Sequence, residues 1–240
     1  MSNFFSKPLE AITEKDVLEL QDTPEGQLFE IKETLPAEDA RKRLDAWMSA
    51  PAQGQSRRGP DDYAKEGLFA ELNAFANSEG GWLVLGLEET ADKPSRAGAI
   101  KPLPECHELA DRLQRAAHDW LDPPVPGLQF RGIEAGGGPR DGVIIARVPR
   151  SPLAPHRLNK ARRTQEAYKR VGDETKPMGM REIQDMTLER ALGHSRIEGA
   201  FEEARQRYGE LVSDHFPQTR LIGFQIVAVP SGGPLAIDRA

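Results

Sequence analysis

Phe75-Ala-Asn-Ser-Glu-Gly-Gly-Trp-Leu-Val-Leu-Gly-Leu-Glu-Glu89 is the stretch on which the fold turns. Its front end closes a helix. Tyr63, Leu68, Leu72, Phe75 and Ala76 recur at helical spacing, and Asp61 or Asp62 is placed to cap the start. Asn77-Ser-Glu-Gly-Gly81 stops that helix, with glycine supplying the positive φ of a helix C-terminus. Trp82 to Leu87 then runs almost continuously apolar, as a central buried strand does. The acidic pair Glu88-Glu89 ends it.

Upstream, Leu28-Phe29-Glu30-Ile31-Lys32 alternates in part and predicts a first strand, entered through the turn-like Pro24-Glu25-Gly26. Residues 8–22 predict a short amphipathic helix, and residues 37–48 another with Ala40, Leu44 and Trp47 on one face. Ser49 to Asp62 is rich in Pro, Gly and Ser and predicts a surface loop. Downstream, Glu105 to Leu121 predicts a helix ended by Asp122-Pro-Pro124. Leu128–Glu134 and Val143–Val148 flank Gly136-Gly-Gly138 as a β-hairpin. A basic loop over 150–163 leads to a short strand at Ala167–Val171. Helices over Met180–Leu192 and Ile197–Tyr208 and a strand over Leu221–Val229 complete the chain.

These elements predict an α/β (α+β) class, a mixed sheet with packed helices. The expected organisation is an N-terminal helical cap over 1–19, a main domain over 20–192 and a helix-and-strand appendage over 193–240. The last strand has no sequence-local partner. It is left to pair with a second copy, as a homodimer, or to belong to a longer protein.

Composition narrows the class further. Hydrophobic residues are 38% of the 240, charged residues 29%, and 19 prolines accompany 22 glycines, a loop-rich but globular balance. No apolar run approaches the ~20 residues of a membrane span, and the N-terminus carries no signal-peptide core. The single cysteine, Cys106, excludes an internal disulfide and a multi-cysteine zinc site. A cytoplasmic protein that does not enter the membrane is expected. The net charge of -6 hides a strong asymmetry. Residues 1–40 hold three Lys against ten acids, whereas residues 150–181 hold nine Lys or Arg against three. A basic stripe of that kind is what a polyanion meets; a solvated loop of scattered charges has the same composition.

Three constellations could carry chemistry. If the strands holding Glu30 and Glu88-Glu89 are neighbours, those acids and Glu25 gather at one edge. Hard Mg2+ or Mn2+ would be held there by oxygen ligands, Glu25, Glu30, Glu88 and Glu89 being the candidates. Lys32 shares the face of Glu30 and would orient a phosphate. The plainer reading leaves Glu25 and Glu30 facing solvent and Glu88-Glu89 merely ending a strand. Gly80-Gly81 with Asn77 would let backbone approach a phosphate, although a helix C-cap explains the glycines equally well. The basic stripe offers Arg157, Lys160, Arg162, Arg163, Lys169 and Arg170 to phosphates, Tyr168 to a base, and His156 as a donor or acid. A lone loop histidine is more often structural. The ATP-binding GxxxxGK[ST] loop and the HExxH zinc motif are absent, and no strand–Ser–helix elbow surrounds Ser151.

The order E-G-Q-L-F-E-I-K (25–32), A-F-A-N-S-E-G-G-W-L-V-L-G-L-E-E (74–89), S-P-L-A-P-H-R (151–157) and A-Y-K-R-V-G (167–172) resembles the Schlafen AlbA_2 domain, over about residues 20–190. The resemblance implies an AlbA-like sandwich and a nucleic-acid-binding or nucleotide-binding (ATP) module, including regulatory DNA-binding modules without catalysis. In animal members it implies a metal-dependent endoribonuclease acting on structured RNA with three acids. Carried over by position, these are Glu25, Glu30 and one of Glu88 or Glu89, with Lys32 beside them. The sequence departs from the pattern in having glutamate where the third acid is commonly aspartate, and in the extra length of loop 49–62. The animal enzymes build their cleft from two lobes, and a homodimer would supply the second. Nucleic-acid binding, RNA or DNA, is the expected function, with nuclease activity as the mechanistic expectation.

Overall fold

The computed structural model describes residues 3–36, 47–159 and 166–215. A four-stranded sheet organises the main body in the order β1-β2-β7-β6, where β1 is Phe29–Lys32, β2 Gly80–Leu85, β6 Gln129–Glu134 and β7 Gly142–Pro149. β1 and β2 run parallel, with Glu30 in register with Leu83. Parallel neighbours need a crossover, and helix α2 (Asp62–Ala76) lies between them in sequence. β2–β7 and β6–β7 are antiparallel.

Strand alternation divides the core in two. Leu83, Leu85, Ile144, Ala146 and Val148 face α2 and helix α3 (Cys106–Trp120) in the larger cluster, where Phe69 stacks on Trp120 at 5.8 Å. Trp82, Val84, Val143 and Ile145 face the other way, with Phe29 and Ile31 of β1. That second face is covered by the N-terminal segment. Two 3-10 turns, Asn3–Ser6 and Leu9–Ala11, and the one-turn helix α1 (Glu14–Leu18) bury Phe4, Leu9, Ile12 and Val17. Each such fully buried side chain contributes roughly 1.5–3 kcal/mol of hydrophobic stabilisation. Where residues 8–22 were expected to make one helix, Pro8 and a capping box at Thr13–Asp16 divide them into shorter turns.

The apolar run after Gly81 also divides. Gly86, with φ +96°, ends β2, and Leu87–Glu89 leaves the main sheet as β3 to pair with β4 (Ala97–Ile100). Two further pairs join β5 (Leu121–Asp122) to β8 (Arg157–Leu158), and β9 (Tyr168–Val171) to β10 (Glu174–Pro177).

Residues 1–183 form one compact unit and the residues from Gln184 a second. The described part of the second is the continuation of α4 (Met180–His215), one helix where two were expected. Gly193 and Gly199 lie within it. Each lowers helix propensity by about 1 kcal/mol against Ala, and neither ends the helix. Most of the helix expected over 37–48 and all of the strand expected over 221–229 lie outside the described residues. No described helix is long and apolar enough to cross a membrane.

Candidate functional site

The Pro24–Gly26 turn closes on β1 through Gly26 N–H donating to Phe29 O at 2.9 Å. This folds Glu25 back along the strand, and its Oε1 accepts from Ile31 N at 3.1 Å. Phe29 and Ile31 point into the N-terminal layer, so Glu30 points to the α2 side. There it is 3% exposed, with Lys32 Nζ on Oε1 and Arg170 Nη2 2.6 Å from Oε2. Because β2 turns out of the sheet at Gly86, Glu89 comes back toward β1. Its Oε1 accepts from Glu33 N at 3.2 Å, and its Oε2 lies 4.0 Å from Lys32 Nζ. Glu88 turns the other way, to Lys101 at 3.7 Å. The structure thus brings Glu25, Glu30, Lys32 and Glu89 together and leaves Glu88 outside.

Arg170 is the centre of this cluster. Its side chain is fully buried beneath β1, its guanidinium 4.7 Å from the Phe75 ring centroid. Besides Glu30 it donates to Glu71 Oε2 at 2.9 Å, Thr175 Oγ1 at 3.3 Å and Gly26 O at 3.0 Å. Glu71, on α2, was not found by sequence reasoning. The only signal was its place one turn before Phe75 on the buried flank of the helix.

Four carboxylates therefore share two cations, and the surrounding negative charge acts on Glu25, Glu71 and Lys32. Burial raises the Glu25 carboxyl to about 7, reinforced by the Glu30 carboxylate and then Glu89, against the Ile31 N–H and Lys32. Burial and then Glu30 also raise Glu71. For Lys32, burial disfavours the ammonium, but Glu30, Glu89 and Glu71 outweigh it and the value is raised. Both Glu30 oxygens are taken by cations. Among the described residues, no group of three or more His, Cys, Asp or Glu side chains is arranged to hold a metal ion. As folded, these donors do not fit Mg2+ or Mn2+.

The residues expected to contact nucleic acid divide into three groups. Asn77 and His156 are buried and join separate segments. Asn77 Nδ2 donates to His156 O and Tyr168 O, both at 2.9 Å, and its Oδ1 accepts from His156 N at 2.7 Å. His156 Nδ1 lies 2.6 Å from Pro123 O. Gly80 and Gly81 are closed in by their neighbours. A Cβ on Gly80 would sit 2.6 Å from Arg150 N and Val148 O, and one on Gly81 would overlap the Phe75 ring. Of the residues expected at a nucleic-acid contact, Asn77, Gly80, His156 and Arg170 are thus buried and Gly81 partly buried. Tyr168 is partly buried, its backbone N–H donating to Asn73 Oδ1 at 2.7 Å. Arg157 is exposed and paired with Asp122 at 2.9 Å, and Lys169 pairs with Glu182. Lys160, Arg162 and Arg163 lie outside the described residues.

A sheet packed against α2 and α3 on one face and the N-terminal segment on the other, with acids at the edge of its parallel pair, defines a mixed α/β domain with an acid–cation cluster centred on the buried Arg170. The family model for Schlafen, AlbA_2 matches residues 25–179, and the chain belongs to that family, a nucleic-acid-related one. It is similar to the DIP2311 protein of Corynebacterium diphtheriae, with 19% identity and a TM-score of 0.37, over 63% of this chain. The match spans only 22% of that longer protein. It is also similar to the N-terminal domain of a RecG-related protein of Nitrosomonas europaea, with 17% identity and a TM-score of 0.36, covering 69% of this chain and 90% of that one. Among curated proteins none matches.

Proposed function

We propose that this chain binds nucleic acid through the basic segment 150–163, with the acid cluster serving as a structural lock rather than as the phosphate contact. The observation that carries this reading is charge separation. Arg150, Arg157, Lys160, Arg162 and Arg163 fall within fourteen residues that contain no acid. The Glu25–Glu30–Glu71–Glu89 cluster, by contrast, holds more carboxylates than cations and would repel a phosphate. Family membership supports the same ligand class.

The test is fluorescence anisotropy with labelled tRNA and single-stranded DNA across a salt series. Wild type should bind more weakly as salt rises, the slope reporting the number of phosphates neutralised. Arg162→Glu with Arg163→Glu should weaken binding and flatten that slope. Unchanged affinity for every nucleic acid would refute the reading.

Schlafen-type cleavage is the second reading, favoured by the convergence of Glu25, Glu30 and Glu89 on Lys32. It demands that Lys32 leave Glu30 before Mg2+ or Mn2+ could be held. Incubating labelled tRNA with Mn2+ or with EDTA separates the two readings. Cutting that needs metal and is lost in Glu30→Gln supports cleavage; binding without cutting supports the lock.

A further inference from the structure

The sheet face away from the acid cluster carries a second feature that the lock does not use. A cavity of about 550 Å3 opens beside β1, at the ends of β2 and β7, lined by Phe5, Leu28, Phe29, Trp82, Arg147 and Arg150 among others. That volume lies within the usual ~300–1,000 Å3 of small-ligand sites.

Its walls combine aromatic rings and guanidinium groups. Phe5 meets the Phe29 ring edge-on at 5.3 Å and Trp82 at 6.4 Å. Phe5 remains 37% exposed and Leu28 52%, so large apolar surface faces the opening. Trp82 and Arg147 are register partners across β2 and β7, and the Arg147 guanidinium lies 5.5 Å from the indole centroid. Arg147 is exposed and has no carboxylate partner among the described residues. Arg150 stands beside it, 3.1 Å from Glu79 in a solvent-exposed pair. Such surface pairs contribute little and exchange readily for a stronger anion.

An apolar peptide would use the rings and leave Arg147 idle. A free phosphate would use the arginines and leave the rings exposed. A base carrying its phosphate uses both, because every nucleobase offers a π-face for stacking and every nucleotide a negative charge. Arg150 is also the first residue of the basic segment, so a strand held there continues directly onto it. In a duplex the base faces are already stacked on one another, which selects an unpaired strand.

We infer that this groove is a stacking site for one unpaired base of a single-stranded nucleic acid, with Arg147 and Arg150 on the adjoining phosphates. The inference rests on the nucleic-acid-binding reading above and adds a location and a strand preference to it.

The test compares oligo(dT) with an abasic oligonucleotide of equal length, which keeps the phosphates and removes the bases. In wild type, oligo(dT) should quench tryptophan fluorescence, because Trp82 lines the groove while Trp47 and Trp120 lie in the opposite core. The abasic strand should not. Phe5→Ala should weaken oligo(dT) about tenfold, as loss of one stacked base does, and leave the abasic strand unchanged. Arg147→Ala should weaken both. If wild type binds oligo(dT) without quenching, or Phe5→Ala affects neither strand, the groove is overturned while nucleic-acid binding stands. If wild type binds no oligonucleotide or tRNA at any salt, the broader reading fails and the groove with it. The quenching measurement needs no variant, so it decides the matter even if Phe5→Ala unfolds.

Discussion

Replacing Arg170 by Met tests whether the acid cluster is a lock. The methionine keeps most of the apolar stem over Phe75 and removes the guanidinium. Glu30, 3% exposed, then loses the partner on Oε2, and Glu71 loses its cation while keeping the Thr175 hydroxyl on the same oxygen. Breaking a buried ion pair by removing one member costs about 3–5 kcal/mol, because a charge is left without compensation. Lys32 still faces the other oxygen of Glu30, which argues for the lower end, about 3 kcal/mol. With a urea m-value of about 2 kcal/mol/M for a domain of this size, the unfolding midpoint should fall by about 1.5 M. Tryptophan fluorescence reports it, since Trp47, Trp82 and Trp120 are all buried. Glu30→Gln in the Arg170→Met background should recover part of the loss, giving a coupling above about 1 kcal/mol in a double-mutant cycle. A midpoint shift below about 0.3 M, or additive single effects, would refute the lock.

The remaining predictions concern Glu25 and Asn77. Burial and Glu30 hold the Glu25 carboxyl near 7, above its ordinary 4.5. Between those two values the folded chain keeps a proton that the unfolded chain releases, so the Glu25 contribution falls as pH rises from about 4.5 to about 7. Glu25→Gln should remove that decline, making the variant gain on wild type between pH 5 and pH 8; identical pH profiles of the urea midpoint would contradict it. Asn77→Ala removes an acceptor from His156 N and a donor from the carbonyls of His156 and the partly buried Tyr168. A loss of about 2–4 kcal/mol is expected from the stranded groups. Hydrogen exchange should show the His156 amide losing protection well before those of β2 and β7, and simultaneous loss across all three would speak against a local brace.

The elements that were legible in the sequence are those whose periodicity is set by one dominant partner. α2 shows a helical apolar face because it packs on a single sheet surface, and β2 and β7 read as apolar runs because both their faces are covered. β4 and β10 did not show, since their residues are short, half-exposed and paired only with a neighbouring hairpin arm. The convergence of Glu25, Glu30 and Glu89 followed from spacing only on the condition that β1 and β2 are adjacent. Which glutamate of the 88–89 pair faces Lys32 was not readable from the sequence, because the strand leaves the main sheet at Gly86, with φ +96°. The identity of the counter-ions was not readable at all. Arg170 looked like one member of a basic stripe, because nothing local distinguishes an arginine that enters the interior from one that faces water. Its partners on β1 and α2 lie far away in sequence.

That separation has a consequence for synthesis. Glu30 and Arg170 are 140 residues apart, so at about 5–20 residues per second roughly 7–28 s pass between their emergence from the ribosome. Through that interval β1 must carry a carboxylate destined for the interior. Lys32, two residues on in the same strand, supplies a counter-ion from the moment the strand appears. The guanidinium arrives only with β9, near the end of the first compact unit, so the pairing that Lys32 begins within one strand is completed by the last hairpin of that unit.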